Sequence, residues 1–132
     1  MMQEMHLYEY AVIRVVPRVE REEFLNVGVV LYCAKEKFLQ LKFDVNLDRL
    51  KVFGKSVDLE ELKIHLHIFD AICKGEKCGS PIADLDIPSR FRWLTATRST
   101  VLQTSKVHPG FSTDALQTIN SLYENMVLNI EA

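Results

Sequence analysis

The stretch Phe24–Cys33, FLNVGVVLYC, decides the fold. It carries Leu25, Val27, Val29 and Leu31 at odd positions and Phe24, Val30 and Tyr32 at even ones. A strand that is apolar on both faces belongs in the interior of a sheet, covered on both sides. Gly28 within it predicts a bulge or a close approach of a neighbouring backbone. Upstream, Leu7–Val16 (LYEYAVIRVV) is rich in Tyr, Val and Ile and stops at Pro17, which has no N–H for a sheet ladder. Alternation puts Tyr8, Tyr10, Val12 and Arg14 on one face and Leu7, Ala11, Ile13 and Val15 on the other. A charged segment, Arg18 to Glu23, separates the two strands. Downstream, Ala34–Lys37 makes a turn, and Phe38–Phe43 alternates as a half-exposed strand does.

The middle of the chain is helical by periodicity. Asn46 or Asp48 can cap a short helix ending at Gly54. Ser56 or Asp58 opens a longer one, with Glu60 and Glu61 favoured in its first turn by the helix dipole. Leu59, Leu62, Leu66, Phe69 and Cys73 form its stripe, broadened by Ile64, Ile68 and Ile72. Lys74 and Gly75 end it. Gly75–Pro88, with its glycines and prolines, predicts a loop. Ser89–Ala96 fits either a short helix or a strand. Thr100–Ser105 fits a strand, and Pro109-Gly110 signals a turn. Ser112 or Thr113 can cap a last helix with the stripe Leu116, Ile119, Tyr123, Met126, Val127 and Ile130.

These elements predict an α+β fold. Its sheet is antiparallel or mixed, with four to five strands, and its two main helices pack mainly on one face. At 132 residues the length favours a single domain, 1–132, large enough to bury a core without disulfides or metal. Hydrophobic residues at 48% exclude disorder and collagen-like repetition. Met1–Tyr10 lacks the basic and apolar regions of a signal peptide, and no apolar run approaches the roughly 20 residues of a membrane span. With three cysteines, an odd number, the expectation is a cytoplasmic protein with reduced thiols and no membrane association.

A net charge of −2 and a pI near 6.1 argue against a generally basic nucleic-acid binder. The charge is unevenly spread, however. No Asp or Glu occurs between Ile87 and Thr113, where Arg90, Arg92, Arg98 and Lys106 stand, so the rest of the chain is net −6. Nine Ser and Thr hydroxyls fall in the same segment. Guanidinium groups suit phosphate and carboxylate, and hydroxyls add donors without adding negative charge. Arg14, Arg18 and Arg21 make a second basic group. Together these predict an anion-binding site built from Arg14, Arg18, Arg90, Arg92, Arg98, Ser99 and Thr100. The competing expectation is ordinary solvated arginines paired with Glu20, Glu22 and Glu23, and a Trp93 at the edge of the core.

Catalytic and metal constellations are weak. Cys73 and Cys78 have a CxxxxC spacing, but His65 and His67, two apart on a helix, cannot serve one ion. There is no GxSxG elbow, P-loop or GxGxxG. His108, before Pro109-Gly110, is the one histidine in a hydroxyl-rich, loop-like setting that could act as a base. Neither a metal nor a cofactor is expected.

Two stretches resemble a known family. One runs from Tyr10 to Leu31 through YAVIRVVP and REEFLNVGVVL. The other is Ser89–Gln103, SRFRWLTATRSTVLQ, followed by Val107-His-Pro-Gly110. They resemble the bacterial family DUF3037, a domain of unknown function. The resemblance spans nearly the whole chain and implies a bacterial origin. It implies that Arg14, Asn26, Gly28, Arg90, Arg92, Trp93, Arg98, Ser99 and Thr100 are signature positions. It also implies a protein partner resembling a HipA-like kinase. The resulting expectation is a non-enzymatic binding module whose Arg- and hydroxyl-rich segment (90–106) contacts an anionic, phosphate-bearing group or such a partner, with Asn26, Gly28, Trp93 and His108 supporting. The alternatives are a small nuclease or phosphoryl-transfer enzyme using Arg90, Arg92, Arg98 and His108, and a single-stranded nucleic-acid binder stacking bases on Trp93.

Overall fold

The computed structural model describes residues 4–17, 23–44, 47–50, 58–96, 98 and 100–128. The element order is β1 (His6–Val15), β2 (Leu25–Cys33), β3 (Phe38–Phe43), α1 (Leu47–Leu50), α2 (Leu59–Lys74), α3 (Ile87–Leu94), β4 (Leu102–Thr104), β5 (His108–Ser112) and α4 (Ala115–Tyr123). A 3-10 turn, Pro81–Asp84, precedes α3, and a π-helical turn, Glu124–Leu128, continues α4. The fold is α+β with a five-stranded antiparallel sheet. The order is β3-β2-β1, and the far edge of β1 is shared by two short strands. β5 pairs with His6–Tyr10, and β4 with Ile13–Val15.

Ser105 fills the gap between those two strands. Its backbone N–H donates to Val12 O (2.8 Å), while its Oγ accepts from Val12 N (2.8 Å) and donates to Lys106 O (2.9 Å). The side chain thus completes the ladder where the backbone turns away from β1.

The predicted bulge lies at Val27 and Gly28. Ile13 faces Gly28 but Arg14 faces Asn26, so Val27 is the extra residue. The bulge resets the alternation. Leu25 and Val27 share a face with Val30, whereas Val29, Leu31 and Cys33 point the other way. Gly28 also meets the second expectation for a glycine in a strand. A Cβ there would lie 2.8 Å from Lys42 O and 2.9 Å from Phe43 Cβ, so β3 can approach only because the side chain is absent.

Helices cover both faces. Leu62, Leu66, Phe69, Ile72 and Cys73 of α2, with Phe91 and Leu94 of α3, pack on Ala11, Ile13, Val15, Val27 and Val30. Ala115, Ile119 and Tyr123 of α4, with Val127, pack on Val29, Leu31 and Cys33. This corrects the expectation that the two main helices share mainly one face. The reason is the doubly apolar β2: its second stripe stays wet unless α4 crosses to it.

Capping agrees with local chemistry. Asp58 Oδ1 accepts from Glu61 N at 3.1 Å to start α2. Gly75, at φ 72°, ends it, with its N–H and that of Glu76 reaching the carbonyls of Ile72 and Ala71. The ambiguous 89–96 segment is helical because Asp86 caps it, accepting from Ser89 N at 2.9 Å, with Pro88 in the first turn. Pro109 and Gly110 lie inside β5, an edge strand that tolerates proline, and do not form a turn. Ile64, placed in the α2 stripe by periodicity, is 58% exposed, and Leu116, placed in the α4 stripe, is 51% exposed. Asn46 and Gly54 lie outside the described residues.

Candidate functional site

A cleft of about 590 Å³ opens where the end of β1 meets the first turns of α2 and the chain after α3. Val16 and Pro17 form one wall. Asp58, Glu61, Leu62 and His65 come from α2, and Phe69 from its next turn. Trp93, Arg98, Thr100, Val101 and Leu102 close the remaining side. The lining is mostly apolar, and it includes Arg98 together with the carboxylates of Asp58 and Glu61.

Arg98 is fixed by the end of α3. Its Nη1 donates to Leu94 O at 2.9 Å and approaches Ala96 O at 3.4 Å, and its Nη2 donates to Trp93 O at 2.5 Å. The guanidinium lies 4.6 Å from the Trp93 ring centre and 4.9 Å from that of Phe69. It therefore donates to carbonyls at a helix end while packing against two neighbouring aromatic rings. Burial lowers its pKa from the ordinary arginine value. Trp93 in turn meets Phe69 edge-on, centroids 5.7 Å apart, and packs, partly buried, against the core. With Arg98 and Phe69 against it, its ring is no open stacking platform.

Among the described residues, the predicted arginines do not converge. Arg14 shares the parity of Tyr8 and Tyr10 and so lies on the α4 face, with its guanidinium 4.0 Å above the Phe24 ring. Arg98 packs with Phe69 and Trp93 on the α2 face. Arg90 folds over Gly75 at the far end of α2 and donates from Nη1 to Leu85 O at 2.6 Å. Arg92 is exposed. Arg18 and Ser99 lie outside the described residues. His108 is exposed on β5, its ring 5.4 Å from that of Tyr10, and so is separated from Arg98 by the sheet. The four side chains named for the nuclease alternative are thus held in different places.

Several signature positions have a local task. Asn26 Nδ2 donates to Met126 O at 3.2 Å and ties the π-helical turn to the sheet. Thr100 Oγ1 donates to Leu102 O at 2.8 Å, and its carbonyl accepts from Gln103 Nε2 at 2.9 Å. Arg14 Nε, Asn26 Oδ1 and Arg90 Nε are buried and find no hydrogen-bond partner among the described residues.

Of the predicted residues, the cleft gathers Trp93, Arg98 and Thr100. Its other half went unread: Val16, Pro17, Asp58, Glu61, His65 and Phe69. The available signal was the N-terminal end of the α2 stripe, which had to meet the end of β1 once both packed on one face. Among the described residues, no helix is long and apolar enough to cross a membrane.

No curated protein and no solved structure matches the chain. The family model described as "Protein of unknown function (DUF3037)" matches residues 10–127, nearly the whole sequence. Every residue that lines the cleft, from Val16 to Leu102, falls within the matched region, and the chain therefore belongs to the DUF3037 family.

Proposed function

We propose that the chain is a non-enzymatic, cytoplasmic binding module whose cleft beside Arg98 receives an apolar group flanked by an anionic one, offered by a protein partner. The observation that carries this is the composition of the cleft: a mostly apolar lining that also holds one guanidinium and two carboxylates. Such a mixture suits a peptide segment, which brings an apolar side chain and charges of both signs. It does not suit a run of phosphates, which Asp58 and Glu61 would repel. Trp93, partly buried with Phe69 and Arg98 against its ring, likewise favours a protein partner over stacked bases. The three cysteines are free thiols, in keeping with a reducing compartment. A HipA-like kinase, implied by the family resemblance, is the first partner to test.

Trp93 is the single tryptophan of the chain and lines the cleft, so its fluorescence reports occupancy directly. Titration with phenyl phosphate, an apolar ring bearing a dianion, should give a saturable change in emission. Val101 is 40% exposed on the cleft wall, so Val101→Asp should abolish the change while leaving stability within about 0.5 kcal/mol. A change that survives this substitution, or none at all in the parent chain, overturns the assignment. Calorimetric titration with the kinase should show the same dependence on Val101.

A further inference from the structure

A second cluster lies on the opposite face of the sheet, at the far end from the cleft. His6 opens β1, Cys33 closes β2, and Glu36 stands in the β2–β3 turn. His6 Nδ1 is 2.9 Å from Glu36 Oε2, and Cys33 Sγ donates to the same oxygen at 3.7 Å. One donor atom from each residue falls within 4.8 Å of the other two. We propose that His6, Cys33 and Glu36 form a binding site for a zinc-like divalent transition-metal ion.

The chemistry of the donor set selects the ion. One imidazole nitrogen, one thiolate and one carboxylate match the ligands of zinc and its neighbours, whereas magnesium and calcium require oxygen donors throughout. Tetrahedral zinc with bonds of about 2.0–2.3 Å places its ligand atoms roughly 3.3–3.6 Å apart. The observed spacings bracket that range, so small rotations bring all three donors onto one ion. Three protein ligands leave the fourth position to water.

The scaffold holds the donors in place. His6 is laddered to Ser112 in β5, and Cys33 to Phe38 in β3. The Glu36 carboxylate also accepts from Ala115 N, the first residue of α4, at 3.1 and 3.3 Å. That N–H orients the carboxylate as an outer hydrogen bond orients a metal ligand. Cys33 is 1% exposed, while the side chains of His6 and Glu36 are 20% and 26% exposed. The ion thus enters from the solvent side and reaches the thiol last. On binding, the thiol proton passes to solvent. The imidazole coordinates as the neutral ring through Nδ1, with its remaining N–H on Nε2. Thiolate and carboxylate together balance the charge of a divalent ion.

The signal was present in the sequence only as a register. Glu9 pairs with Tyr32, so counting back along β1 brings His6 opposite Lys35, beside Cys33 and Glu36.

Titration of the reduced, metal-free chain with Co²⁺ tests the site. A near-ultraviolet thiolate-to-cobalt charge-transfer band should grow to one ion per chain and disappear on adding Zn²⁺. Cys33→Ser should remove the band, and Cys78→Ser should keep it. His6→Gln should weaken Co²⁺ binding at least tenfold without touching the buried thiol, so it carries the test if Cys33→Ser does not fold. Glu36→Gln should do the same, since its amide oxygen still accepts from Ala115 N. Absence of the band in the parent chain overturns the proposal. So does a band that persists without Cys33, or an affinity unchanged in both His6→Gln and Glu36→Gln.

Discussion

Arg98 holds two helix carbonyls and the faces of two aromatic rings while lining a cleft, which shows how residue type and residue task separate. The hydroxyl-rich segment behaves in the same way. Thr95 Oγ1 donates to Phe91 O at 2.9 Å, Thr100 to Leu102 O, and Ser112 to Asp114 O at 3.0 Å. Composition could count these donors, but only the fold shows that their first partners are nearby backbone groups. Ser105 is the clearest case, because its Oγ receives the buried Val12 N–H at the break between β4 and β5. Ser105→Ala leaves that buried donor unpaired and should destabilise the protein by about 1–3 kcal/mol, read by urea unfolding. If the loss is nearer zero, the ladder gap is bridged some other way.

At the scale of elements, most of the fold was legible. Strands β1 and β3 follow from alternation, β2 from its two apolar faces, and α2 from its stripe, each to within about two residues at its ends, whereas the α4 stripe, read to Ile130, runs past the end of the α-helix at Tyr123 into the π-helical turn. Helix α3 was ambiguous because Phe91, Trp93 and Thr95 alternate as in a strand; the Asp86 cap and Pro88 decide it. The cleft was legible only by half, since it depends on which side of the sheet each helix takes. The Asp86 cap also makes a pH prediction. A hydrogen bond from the Ser89 side chain, then one from its backbone, holds the Asp86 carboxyl below the usual aspartate range. A carboxyl with a lowered folded-state pKa contributes stability above its unfolded pKa, and the contribution is lost as pH falls through the folded value. Asp86→Ala should therefore lower the thermal midpoint at neutral pH and leave it nearly unchanged in strong acid, where the parent cap is already protonated. An equal deficit at both pH values would mean that the side chain acts only by shape.

For the whole molecule, the question is whether the two faces of the sheet melt together. Cys73 belongs to the α2 face and Ile119 to the α4 face, and they share only the sheet between them. Strand β2 feeds both, with Val27 and Val30 to one side and Val29 and Leu31 to the other, so neither layer can leave without stripping the strand from its second cover. Cys73 reports the opening of its own side. It is 1% exposed, and burial pushes its thiol up to about 12, so the reactive thiolate is absent from the folded state near neutral pH. Alkylation at pH 8 should modify the partly exposed Cys78 quickly and Cys73 only through unfolding. Ile119→Ala, on the far face, should cost about 2 kcal/mol or more. If the molecule unfolds as one unit, that cost reaches Cys73 in full and its labelling accelerates about thirtyfold or more, a tenfold change corresponding to about 1.4 kcal/mol. If Cys73 labelling is unmoved while α4 is loosened, the α2 layer opens on its own. The sheet then separates two independently stable halves, and a ligand in the cleft would stabilise only one of them.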